Sequence, residues 1–104
     1  MEEMRLELER IREELDKLIE SIHEAYLLLR EDILTICEEA RNEIYISQYE
    51  FECMLDLLLG YGCRFNIKEE FELFTNTYTF IYPDSVAQFN KKYSTWIEQG
   101  IISE

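Results

Sequence analysis

The chain has 104 residues, 47% apolar and 13% aromatic, and carries a formal charge of −13. Such a composition supports one modest hydrophobic core and disfavours disorder. The strong negative field argues against a Lys/Arg-driven hold on phosphates or anionic lipid, so the expected partners are proteins, basic ones among them, with no direct nucleic-acid binding and no membrane binding. No apolar run reaches the roughly 18 residues of a bilayer span, and the Glu-rich start lacks the basic and hydrophobic parts of a secretory signal. A cytoplasmic location is expected. Cys37, Cys53 and Cys63 are odd in number and follow no C-x-x-C spacing, which predicts reduced, buried packing residues.

In chain order, the first forty-odd residues read as one helix without Gly or Pro. Leu8, Leu15, Ile22 and Leu29 take heptad position a, and Met4, Ile11, Leu18 and Ala25 take position d. Met4, Leu8, Ile11, Leu15, Leu18 and Ile22 are therefore the candidate self-association residues. Glu7 at g can face Arg12 at e of a parallel partner, an antiparallel pairing is equally open, and a dimer is the favoured homo-oligomer. Ile19, Tyr26 and Leu28 then widen the stripe, which places a boundary between a projecting helix (1–28) and a small helical domain continuous with it (29–104). The 25, 29, 33 spacing contains two consecutive steps of four, which unwinds a left-handed supercoil past residue 29.

Ser47 followed by Glu50 predicts a capping box, with Ile46 and Phe51 as a hydrophobic staple, opening a second helix from about residue 48 to 59. Gly60 and Gly62 are expected to end it through positive φ. The short link from Asn42 to Ile46 predicts an antiparallel helical hairpin between the long first helix and the second. Two shorter C-terminal helices complete an all-α fold. Asn66 with Glu69 caps the first, which carries Phe71, Phe74, Tyr78 and Ile81, and Ser85 with Gln88 opens the second, which presents Val86, Phe89, Tyr93, Trp96 and Ile97 and ends at Gly100. Residues 75–82 are β-branched and aromatic enough to form a strand, but a lone strand lacks a mate, so helix is preferred.

Catalytic constellations are missing. His23 falls at position b with Glu20 and Glu24 beside it, and the Glu-x-x-His step of di-iron bundles occurs once, pointing away from the seam. The acidic pairs lie opposite apolar faces and are expected to face water, so no acid–base pair can be nominated. There is no G-x-S-x-G, phosphate loop or Asp-rich calcium loop. The expectation is a non-enzymatic protein with no cofactor and no metal. Tyr61, between two glycines, is the expected exposed anchor for a partner, with Tyr49 and the acidic Glu31, Glu38 and Glu39.

Leu29-Arg30-Glu31-Asp32-Ile33, Cys37-Glu38-Glu39-Ala40 and Tyr45-Ile46-Ser47-Gln48-Tyr49-Glu50-Phe51-Glu52, followed by Leu55 and Leu58, resemble small helical proteins encoded by tailed phages and prophages of Gram-positive bacteria. The resemblance spans residues 25–71; the Gly-Gly-Asn-Gly turn of those proteins is replaced by Gly60-Tyr61-Gly62-Cys63. It implies a viral setting, with host or viral protein partners and the host-cell cytoplasm as the location, and carries over no catalytic residues. The leading expectation is a self-associating protein-binding module, a phage inhibitor that occupies a surface of a host or defence protein. Its rivals are an accessory virion or assembly protein, and an acidic nucleic-acid mimic that sequesters a basic DNA- or RNA-binding protein.

Overall fold

The computed structural model describes residues 2–102, which form α1 (Glu2–Ala40), α2 (Gln48–Tyr61), α3 (Lys68–Tyr78) and α4 (Pro83–Glu98). The fold is all-α, with no strand among the described residues and no helix of them long and apolar enough to cross a membrane. Residues 75–82 are the last turn of α3 and the turn beyond it. Within the helical part, Thr75 Oγ1 donates to the Phe71 carbonyl at 2.8 Å and Thr77 Oγ1 to the Leu73 carbonyl at 2.7 Å, so both hydroxyls are satisfied against the preceding turn. Phe71, Phe74 and Tyr78 fall on one face and are all buried, so packing overrides β propensity.

The first helix is unbroken. Its 39 residues span about 58 Å, and the long axis of the molecule is 62 Å. The radius of gyration, 17.7 Å, exceeds the roughly 13 Å of a compact chain of this length. The helix ends in a Schellman turn in which Glu43 N–H donates to the Ala40 carbonyl and Ile44 N–H to the Glu39 carbonyl, both at 3.1 Å. Glu43 occupies the left-handed position with φ 61°, where glycine is the usual residue.

The four helices alternate in direction. Tyr26 meets Tyr61 at the far end of α2, so α2 runs back along α1 as the predicted hairpin requires. Arg30 pairs with Glu70 and the Thr77 side chain bonds Cys37, so α3 runs parallel to α1 and is its most extensive neighbour. Ser85 bonds Glu52, and Lys92 pairs with Asp56, which sets α4 parallel to α2. Around the bundle the order is α1, α2, α4, α3, and the link at residues 62–67 crosses its lower end.

Phe51, Leu55, Leu58 and Leu59 of α2 meet Ile33 of α1 and Phe71, Phe74 and Tyr78 of α3 in one core. The Ile46 backbone, ahead of α2, is satisfied by two tyrosines: Ile46 N–H donates to Tyr78 Oη at 3.0 Å, and Tyr82 Oη donates to the Ile46 carbonyl at 2.7 Å. Glu70 Oε1 receives Arg30 Nε at 3.0 Å, while the buried Oε2 has no hydrogen-bond partner among the described residues.

Several cap assignments change. Ser47 does cap α2, accepting from Glu50 N–H at 3.1 Å. Helix α2 continues through Gly60 to Tyr61, and neither Gly60 nor Gly62 adopts positive φ. Gly62 is small for packing: a Cβ there would lie 3.0 Å from the Leu59 carbonyl and 3.1 Å from Ile67 and Ile102. Asn66 accepts from Lys68 N–H, not Glu69 N–H. Pro83 begins α4, and Ser85, inside its first turn, is a buried cross-helix partner that donates to Glu52 at 2.7 Å and accepts from Gln48 at 3.0 Å. Gly100, with φ 73°, does follow the end of α4 and returns the chain so that Ile102 plugs the lower end of the core. Of the cysteines only Cys37 is buried; Cys53 is half-buried and Cys63 exposed.

Burial raises the Tyr26 and Tyr78 hydroxyls and the Cys37 thiol above their ordinary values, with the Glu70 carboxylate adding to the effect at Tyr26. The folded state thus holds these protons more tightly than the unfolded chain. Their stabilising contribution is present below the ordinary thiol and phenol values and is lost as pH rises beyond them. Urea midpoints are expected to decline above about pH 9, in step with the tyrosinate absorbance. Replacing Glu43 with glycine removes the left-handed penalty and is expected to stabilise the fold by about 0.5–1 kcal/mol, measured by the same urea titration.

Candidate functional site

One apolar stripe runs the length of α1, through Met4, Leu8, Ile11, Leu15, Leu18, Ile22, Tyr26, Leu29, Ile33 and Cys37. From Tyr26 onward it is covered by the bundle; from residue 3 to residue 21 every side chain is exposed. Met4 is 70% exposed, Leu8 63%, Ile11 52%, Leu15 53% and Leu18 56%. A row of aliphatic side chains at heptad spacing, laid bare over five turns, is the largest departure of this surface from that of an ordinary monomer.

The second component comes from α2, which is apolar nearly all round. While Phe51, Leu55, Leu58 and Leu59 fill the core, Tyr49, Cys53 and Leu57 form an outward stripe, with Tyr49 77% and Leu57 57% exposed. A helix apolar on both sides has a second face to cover. The two stripes converge where α1 leaves the bundle. Ile22, Cys53, Leu57, Gly60, Tyr61 and Arg64, with Asp56 at the edge, line an open groove of about 710 Å³. A second hollow of about 550 Å³ adjoins it through Ile22 and Arg64 and is lined also by Ile19, His23 and Phe65.

Electrostatically the groove has an apolar floor and charged margins. Asp56 is paired with Lys92 at 3.1 Å. Arg64 is exposed and borders both hollows, with no ion-pair partner among the described residues. On the outer stripe the Cys53 thiol, hydrogen-bonded one turn away, raises the Tyr49 hydroxyl above its ordinary value.

The structure brings Ile22 and Tyr61 into one groove, but Tyr61 is not the free anchor its flanking glycines suggested. It is half-buried, with its ring 5.7 Å from Tyr26 and 6.3 Å from Phe65, because α2 runs on through Gly60 and aims the ring back at α1. Tyr49 is the exposed tyrosine. Glu31, Glu38 and Glu39 are also exposed, on turns of α1 beside the bundle and away from the groove. Leu57 and Cys53 were missed; the signal that could have found them is the recurrence of Tyr49, Cys53 and Leu57 at steps of four, on the side of the helix away from Phe51, Leu55 and Leu58. His23 is exposed beside Phe65, with ring centroids 5.7 Å apart. No group of three or more His, Cys, Asp or Glu side chains that could hold a metal occurs among the described residues.

No family model, curated protein or solved structure matches the chain. The surface itself therefore carries the functional argument. It offers a concave apolar floor bordered by Asp56 and Arg64. Because Leu57 is more than half exposed, Leu57→Asp is expected to leave the urea-unfolding free energy within about 0.5 kcal/mol of the original, while reducing the fluorescence of a hydrophobic dye such as anilinonaphthalene sulfonate bound at the groove.

Proposed function

We propose that the protein is a non-enzymatic, self-associating protein-binding module that works by presenting a helical apolar surface. The observation that carries this reading is the exposure of the α1 stripe from Met4 to Leu18 on a helix that continues unbroken into a well-packed bundle. A rigid helix held at one end loses little conformational freedom when it meets a partner, so most of the buried apolar area is available as affinity. The charge of −13 adds selectivity for neutral or basic protein surfaces and repels nucleic acid. In the viral setting that the resemblance of residues 25–71 implies, the biological form of this activity is an inhibitor that occupies a surface of a host or defence protein.

Nucleic-acid mimicry is less well supported. On α1 the acidic residues are interspersed with Arg5, Arg10, Arg12 and Lys17, and Arg10 pairs with Glu14 at 3.6 Å, so the exposed helix does not present one sign of charge.

Changing Leu8, Ile11 and Leu15 together to Glu tests the proposal. The expected result is a fall in light-scattering mass to that of a single chain with far-ultraviolet helicity largely kept, together with loss of target capture in pull-downs from the natural host. Unchanged mass and unchanged capture would remove the stripe from any role.

A further inference from the structure

The stripe on α1 and the groove at its root lie on the same side of the helix, and this restricts how two copies can meet. Beyond Ile22 the stripe is occupied by the chain's own α2 and α3. In a parallel, in-register pair, each bundle would stand where the other copy's α1 has to pass. The bundles also repel: residues 22–104 contain fifteen acidic and six basic side chains. Opposed bundles, at the two ends of a shared rod, avoid both problems.

We propose that two copies pair antiparallel through residues 3–21 of α1, each inserting its N-terminal tip into the groove of the other at Ile22, Leu57 and Tyr61. This rests on the self-association reading above and adds orientation, register and a complete site. Turned end for end, the heptad positions match in every layer: Leu8 meets Leu18 of the second copy, Ile11 meets Leu15, and Met4 meets Ile22 at the groove. The groove volume of about 710 Å³ gives the incoming turn of helix room beside the bundle.

Area and charge agree with this occupant. Five seam side chains per copy, each more than half exposed, bury about 100 Å² apiece. With the groove residues, the two copies reach the roughly 1,000 Å² expected of a specific interface. The tip, residues 2–9, carries four acidic side chains against one basic, and at the groove it meets the exposed Arg64. The symmetric centre opposes this gain: Arg12 lies across from its own copy on one flank and Glu14 on the other, both at the solvent-exposed rim where such repulsion is weak.

Those flanking charges distinguish the orientations. In a parallel pair Arg12 faces Glu7, so Arg12→Gln weakens association; in the antiparallel pair it removes a repulsion, and the dimer dissociation constant is expected to fall about two- to five-fold. The decisive experiment combines Ile11→Cys in one copy with Leu15→Cys in a size-tagged second copy, both with Cys53→Ser and Cys63→Ser, followed by mild oxidation. The expected result is a disulfide between residue 11 of one copy and residue 15 of the other, at a light-scattering mass of two chains. Links only between like positions, at the same mass, would overturn the antiparallel pairing and leave self-association standing. A single-chain mass at all concentrations for the unsubstituted protein would overturn both, and a mass above two chains would overturn the closed pair.

Discussion

Everything distinctive about this molecule depends on one helix whose apolar stripe is longer than the body available to cover it. The stripe of α1 continues at unchanged angular position from Met4 to Cys37, but α2 and α3 shield it only from Tyr26 onward. No Gly or Pro interrupts residues 2–40, so the helix cannot fold its free half back over the bundle without giving up backbone hydrogen bonds in its middle. The result is a rod 62 Å long on a chain of modest size, with Leu8, Ile11 and Leu15 left in water.

The bundle serves as an anchor that gives the projecting half direction. Its core is aromatic: Phe51 stacks on Tyr78 with centroids 4.8 Å apart and meets Phe74 edge-on at 4.9 Å, contacts that add to the area each ring buries. Tyr78 and Tyr82 also spend their hydroxyls on the Ile46 backbone, which ties the turn after α1 to the α3–α4 corner. Arg30 and Glu70 clamp α1 to α3 on the opposite side. Because Glu70 is buried and one of its oxygens has no hydrogen bond among the described residues, this pair supports geometry more than net stability. Together these ties make α1 a fixed element whose exposed half keeps one direction relative to the bundle.

The groove shows how the two requirements meet. Helix α2 has to bury one face in the core, and its Phe51-Leu55-Leu58 spacing does so; its other face, Tyr49-Cys53-Leu57, has no use inside a single bundle. It lies beside the point where α1 emerges, so the uncovered faces of two helices join into one concave apolar surface.

Local pattern located the helices and their buried faces, and at residues 75–78 core packing decided helix over strand. The heptad run of α1, the Ser47 cap, the Phe71-Phe74-Tyr78 face and the Gly100 stop are interactions among residues a few positions apart, and such interactions are written directly in spacing. The all-α fold and the bare stripe were therefore legible from the letters. Where one residue serves a distant element, the letters were ambiguous. Ser85 looks like a cap and instead reaches 2.7 Å to Glu52, Glu43 takes a glycine's conformation because the turn to α2 demands it, and Gly62 is small to admit Ile67 and Ile102 and not to bend the backbone. The site divides in the same way: its α1 half follows from helical periodicity, but the groove, with Leu57 and Cys53 brought beside Ile22 and Tyr61 turned inward, came into being only when α2 packed antiparallel on α1, a pairing set by which faces fill the core and not by any local rule.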